Sequence, residues 1–103
     1  MSVAQPTTVL AHAFADPKLA PVQWAVRLAE HVGPHLKVGS TVVVSFSGMR
    51  GVSSSYFNAL LLKLLEFATV EQLHKRVSFE TDSNAQRQIL DRSVQAVLAA
   101  RGK

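Results

Sequence analysis

The sequence predicts a small single-domain α/β fold, a mainly parallel or mixed sheet of 3–5 strands packed with about three helices. Three observations predict it. Strand-like and helix-like segments alternate along the chain. TVVVSF, residues 41 to 46, is a near-continuous apolar run of the kind found inside sheets. Segments beginning near residues 20, 54 and 83 carry apolar side chains at helical spacing. The order strand, helix, strand, helix, strand, helix favours crossover connections and hence parallel pairing. An extra strand within 36 to 46, or an antiparallel first strand, is also compatible with it.

Thr7 to Phe14 (TTVLAHAF) is β-branched and apolar enough for a strand, closed by Ala15-Asp16-Pro17. Asp16 and the prolines at 17 and 21 supply helix-start chemistry, because proline at the first helical position loses no intrahelical bond. A helix is expected from about Ala20 to Val32. Ala25, Leu28, Ala29 and Val32 repeat on one side, Gln23, Arg27, Glu30 and His31 lie on the other, and Gly33-Pro34 ends the pattern. Gly39 then turns the chain into 41 to 46, the expected central strand, covered on both faces.

The second helix runs from about Ser54 to Ala68. On a helical wheel Phe57, Leu60, Leu61, Leu64, Leu65, Phe67 and Ala68 share one arc. Leu62 is the misfit, an apolar residue in the otherwise polar stripe Ser55, Asn58, Leu62, Glu66. A loop from Thr69 to His74 is expected next. Arg76 to Glu80 alternates as a strand with at least one wetter face, nearer an edge. Ser83-Asn84-Ala85-Gln86 has capping-box spacing and opens a third helix with a buried seam of Ile89, Leu90, Val94, Val97 and Leu98, fraying after Ala100. Residues 1–103 form one domain, with 1–6 and 101–103 read as flexible ends.

Composition narrows the function classes. The chain is 48% hydrophobic, enough for a core, and 7% aromatic, so aliphatic packing dominates that core. Its net charge of +4 comes from basic residues that are scattered along the chain, which argues for solubility more than for a phosphate-tracking stripe. Absence of cysteine removes disulfide and thiolate chemistry and suits a cytoplasmic protein. No basic start with a long apolar run opens the chain, and the apolar stretch 56 to 68 is shorter than the roughly 20 residues of a spanning helix, so no membrane partner is expected.

No phosphate loop, dinucleotide fingerprint, nucleophile elbow or H-E-x-x-H is present, and the expectation is a non-catalytic protein without cofactor or metal. His31 and His35 have helical ligand spacing, but no local acidic or cysteine ligand completes a set. Gly48-Met49-Arg50-Gly51 fits the G-x-x-G pattern that clamps nucleic-acid backbones, although it joins a strand to a helix. It is read as an ordinary turn in which Arg50 can anchor an anion. Ser53-Ser54-Ser55 stands at a helix start, where free amides and the positive dipole end favour a serine oxygen or a phosphate. N-capping by Ser53 or Ser54 is the plain explanation. A phosphoryl group there would add about 1.5 to 2 negative charges without refolding the domain.

The stretch TVVVSFSGMRGVSSSYFNALLLKLLEF, residues 41 to 67, resembles the central strand, loop and helix of STAS domains, the anti-sigma factor antagonists. It is closer still to the STAS-like domain family, in which an apolar strand ending in Phe, a glycine-containing turn and an iSSSF-type helix start recur. RVSFE, TDSNA and the last helix are compatible in order and length. In STAS proteins the helix start commonly reads Asp-Ser-Ser/Ala-Gly, and its first serine is phosphorylated by a partner kinase that doubles as an anti-sigma factor. Carried over, Ser53 stands at the Asp position, Ser54 at the phosphorylated serine, Ser55 at the next and Tyr56 at the Gly. Ser45 stands where the STAS-like family often has an acidic residue.

The resemblance implies a regulatory interaction domain whose partner surface comprises the loop and the outer side of the following helix: Arg50, Ser53, Ser54, Ser55, Asn58 and Leu62. Its implied partner is a regulatory protein, with a histidine-kinase-type ATPase or sensor component as the candidate, and Ser54 is the implied phosphorylation position. Homo-oligomerisation through apolar helix surfaces is compatible with this. The alternative reading is a small basic nucleic-acid-binding module using the Gly48 to Gly51 loop.

Overall fold

A computed structural model describes residues 6–99. Strands β1 (Thr7–Leu10), β2 (Val42–Ser45) and β3 (Val77–Glu80) form one sheet in the order β1-β2-β3, and both pairings are parallel. The expectation of flexible ends over 1–6 and 101–103 lies, Pro6 apart, outside the described residues. Register aligns Thr7 with Val42 and Val77, and Val9 with Val44 and Phe79. Because successive side chains alternate across a strand, these residues share one face, and Val9, Val42, Val44 and Val77 on it are buried.

The other face is open except at the end of the middle strand. Thr8, Leu10, Ser78 and Glu80 are exposed, Val43 is half-buried, and Ser45 is buried. The expectation that residues 41 to 46 are covered on both faces is therefore corrected: the apolar run marks the middle strand of a three-stranded sheet with helices layered on one side. An uninterrupted valine run cannot reveal which side is covered, since each valine looks alike in sequence. β3 lies at an edge, as its alternation predicts.

Helix α1 (Pro21–Lys37) starts with Pro21 at its first position and Gln23 Oε1 accepting from the Ala20 amide at 3.2 Å. It does not stop at Gly33-Pro34. Gly33 is buried where α1 meets Phe67, and a Cβ there would run into the Phe67 ring, so this glycine is a contact point between elements. Pro34 is on the exposed side, where water can take the place of the amide it lacks. Ala25, Leu28, Ala29 and Val32 form the buried face, as the spacing predicts.

Helix α2 (Ser54–Leu64) packs on α1, buries Phe57, Leu60, Leu61 and Leu64, and ends before the predicted Ala68. Its last turn tightens, with Glu66 N donating to Lys63 O at 3.0 Å and Phe67 N to Leu64 O at 2.9 Å, which swings Phe67 onto Gly33. Strand β1 is also shorter than predicted. The chain leaves the sheet at a 3-10 turn, Ala11–Phe14, in which His12 and Ala13 are both exposed, a pattern that no strand gives.

The expected loop at Thr69 to His74 is largely helix α3 (Val70–Arg76). Gln72 N donates to Thr69 Oγ1 at 3.1 Å while Thr69 N donates to Gln72 Oε1 at 2.8 Å, a reciprocal cap over the buried Leu73. Helix α4 (Asn84–Val94) continues into a wider turn, Gln95–Ala99, and packs on α2. The expected fraying after Ala100 lies outside the described residues. Four α-helices thus stand among the described residues, where about three were predicted. None is long and apolar enough to cross a membrane.

Candidate functional site

The site begins where β2 ends. Phe46 is buried, its amide donates to Glu80 O at 2.9 Å, and its ring meets Phe57 and Tyr56 edge-on at 5.2 and 6.2 Å and stacks near Phe79 at 5.9 Å. This aromatic cluster is a fixed floor under the loop. Ser45 is buried with its Oγ accepting from the Ser47 amide at 3.3 Å. Above it the chain turns through Gly48 and Gly51, whose φ values of 81° and 66° lie in the left-handed region that favours glycine. Two glycines in a four-residue stretch are therefore explained by backbone geometry.

Between them Met49 points inward and Arg50 is exposed. The Met49 carbonyl accepts from Gln86 Nε2 of α4 at 3.2 Å, and Gln86 Oε1 accepts from the Asp82 amide at 2.7 Å. Ser83 Oγ accepts from Gln86 N at 3.1 Å, so the predicted capping box is formed in one direction only and the Gln86 side chain serves the loop instead. Arg50 stands between two shallow cavities at the carboxyl ends of the strands. One, of about 280 Å³, has His12, Trp24 and Tyr56 among its lining; the other, of about 360 Å³, has Asp82, Gln86 and Ile89. The carboxyl edge of a parallel sheet is where α/β proteins place their binding crevices.

The serine trio follows directly. Ser53 occupies the N-cap position with extended backbone, but its side chain makes no cap hydrogen bond, so the plain capping explanation is not realised by either Ser53 or Ser54. Ser53, Ser54 and Ser55 are exposed, while Tyr56 and Phe57 next to them are buried. Further along the same outer flank Leu62 is 43% exposed beside Glu66, which pairs with Lys63 at 3.0 Å. Of the residues the sequence singles out, Arg50, Ser53, Ser54, Ser55 and Leu62 open to solvent. Asn58 stands back from them, half-buried, with Oδ1 enclosed and without a partner.

Sequence reasoning missed Gln86, Tyr56, Arg92 and Ser93. The Tyr56 hydroxyl and Ser93 Oγ are both buried with no hydrogen-bond partner, and burial pushes the Tyr56 phenol pKa up. His31 and His35 lie on one uninterrupted helix with ring centroids 5.7 Å apart, and Phe14 packs on His31 at 5.1 Å. Among the described residues no group of three metal-ligating side chains assembles there or elsewhere.

No curated protein and no solved structure matches the chain. A family profile described as a STAS-like domain of unknown function (DUF4325) matches residues 25–87, from the buried face of α1 through the loop and α2 to the start of α4. That span covers more than half of the chain and contains the whole turn, serine trio and outer helix flank, so this protein belongs to the STAS-like domain family.

Proposed function

We infer that the chain is a non-catalytic regulatory domain of the anti-sigma-antagonist kind, which docks a protein partner on the start and outer flank of α2. Family membership supports the class of function. The single observation that carries the location is the contrast across α2: Phe57, Leu60, Leu61 and Leu64 are fully buried, whereas Ser54 and Ser55 are exposed and Leu62 leaves an apolar side chain in water. A lone exposed leucine is ordinary. One on the same helix stripe as the exposed Ser55, seven residues on, supplies the apolar anchor for a small protein contact. The candidate partner is a histidine-kinase-type ATPase or sensor component, with Ser54 as the residue such a kinase would modify.

The test is affinity capture followed by mass spectrometry, which reports partner and phosphosite together. Leu62→Asp and Ser54→Glu are expected to keep the fold, since both side chains are exposed, and to weaken capture of the identified partner by roughly tenfold or more. Unchanged capture by both variants would remove this surface from consideration.

A further inference from the structure

The docking reading leaves unused the cavity of about 280 Å³ on the His12 side of the loop. It opens past the carboxyl ends of β1 and β2, bounded by the 3-10 turn, the start of α1 and the turn over residues 48–51. Ala15, Pro21, Trp24 and Val52 give it apolar walls, and no carboxylate lines it. Its one permanent positive charge is Arg50, which is exposed and makes no ion pair among the described residues. Arg50 also borders the neighbouring cavity that contains Asp82, and it is not paired with that carboxylate either.

The walls are set before any ligand arrives. Trp24 Nε1 donates to the Asp16 carbonyl at 2.7 Å, which fixes the indole, and the Gln86 bond to the Met49 carbonyl holds the loop from the α4 side. Tyr56 closes the bottom, and its enclosed hydroxyl takes no part. The loop side stays roomy because two of its residues are glycines. A Cβ on Gly51 would meet nothing within 4 Å, and one on Gly48 only the His12 ring at 3.9 Å. Pockets for drug-sized ligands run from about 300 to 1,000 Å³, so this one suits an occupant of one or two rings.

We propose that this cavity binds a small aromatic monocarboxylate, with its ring against Trp24 and Val52 and its carboxylate on the Arg50 guanidinium. The charge follows from complementarity: an unpaired cation stands at the mouth of an apolar bay that holds no acid. A guanidinium presents a planar fork of donors that matches the two oxygens of a carboxylate. A phosphate monoester carries about 1.5 to 2 charges and fits one guanidinium poorly. The ring follows from the indole wall, since aromatic pairs gain beyond the area they bury. This goes beyond the docking reading, because the cavity takes its ligand whether or not a protein covers the Leu62 flank.

The experiment titrates benzoate and 2-naphthoate into the full chain at constant ionic strength. It follows by NMR the amides of residues 48–52 and the indole N–H of Trp24, the single tryptophan. Acetate, a charge without a ring, and benzyl alcohol, a ring without a charge, are the controls. Both aromatic carboxylates are expected to give saturable shifts at these signals, at concentrations roughly tenfold or more below either control. Arg50→Gln changes an exposed side chain and keeps the fold; it is expected to weaken the two carboxylates by about tenfold or more and to leave benzyl alcohol unchanged. Ala15→Leu extends a lining side chain into the cavity and is expected to weaken every ring-bearing probe. Leu62→Asp is expected to leave these titrations as they are, so this site and the docking surface are read separately. The proposal is overturned if neither aromatic carboxylate gives a saturable shift, if acetate binds as well as benzoate, or if Arg50→Gln leaves carboxylate binding unchanged. Undiminished binding by a folded Ala15→Leu chain overturns it as well.

Discussion

Tyr56 is the chain's single tyrosine, 1% exposed, with its hydroxyl enclosed and unpaired. Its ring belongs to the aromatic floor, but its oxygen gives that floor nothing. Tyr56→Phe is therefore expected to stabilise the fold by about 1 kcal/mol, read by denaturant unfolding, since it removes an unsatisfied polar atom and keeps the ring. The raised phenol pKa sets a pH dependence. The folded state holds the proton above the ordinary value of 10.0 at which the unfolded chain releases it. Stability from this group is thus fully present below pH 10 and falls as pH rises beyond it, by about 1.4 kcal/mol per pH unit until the folded value is reached. Because no other tyrosine contributes, tyrosinate absorbance should appear only with unfolding, and Tyr56→Phe should abolish the alkaline slope attributable to this residue.

Gly33 presents the opposite case, a residue whose lack of a side chain is used. Alanine in a helix interior is favoured over glycine by about 1 kcal/mol. At this position the added methyl meets the Phe67 ring, and overpacking of that kind costs roughly 1–3 kcal/mol. The second effect wins, so Gly33→Ala is expected to lower stability in thermal unfolding, and Gly33→Ala with Phe67→Leu to recover part of the loss.

At the scale of elements, much of the fold was legible. Apolar residues at three- and four-residue spacing placed α1, α2 and α4, and the β-branched runs placed the strands. What failed did so for physical reasons. Gly33-Pro34 reads locally as a helix stop, but continuation is decided by Phe67, a partner far along the chain. α3 was available in Thr69-Val70-Glu71-Gln72, a capping box hidden in a segment too short to show helical periodicity. Thr69→Ala is expected to cost about 1 kcal/mol, seen as lowered stability with loss of helical signal. The exposed serines of the candidate site were readable from their place before an apolar run. Gln86, Arg92 and Ser93 were not, because only the packing of α4 on α2 and against the loop brings them there.

Across the whole molecule, the eleven basic and seven acidic residues are dispersed along the sequence; Lys63 pairs with Glu66 just past the end of α2, and Lys75 and Arg87 pair with Glu71 and Asp91 on their own helices. Such exposed pairs add little stability, but among the described residues each sets an acidic group beside a basic one. A protein of this charge pattern is expected to show no gel shift with DNA or RNA at physiological salt, whereas a basic module would show binding with a steep ionic-strength slope. The bare side of the sheet could not be foreseen, since Val42, Val43 and Val44 are identical in sequence and differ only in what lies across from them.

The bond from Gln86 to the Met49 carbonyl joins positions 37 residues apart. The strand pairings reach about as far, from Thr7 to Val42 and from Val42 to Val77, so this bond is one of several long loops the fold has to close. The turn bearing Arg50 would then acquire its final shape only when the C-terminal helix docks. A chain cut before Ser83 would keep most of the family's strand and helix pattern yet present an unset recognition loop, so readiness to engage a partner would itself report that synthesis has passed that point.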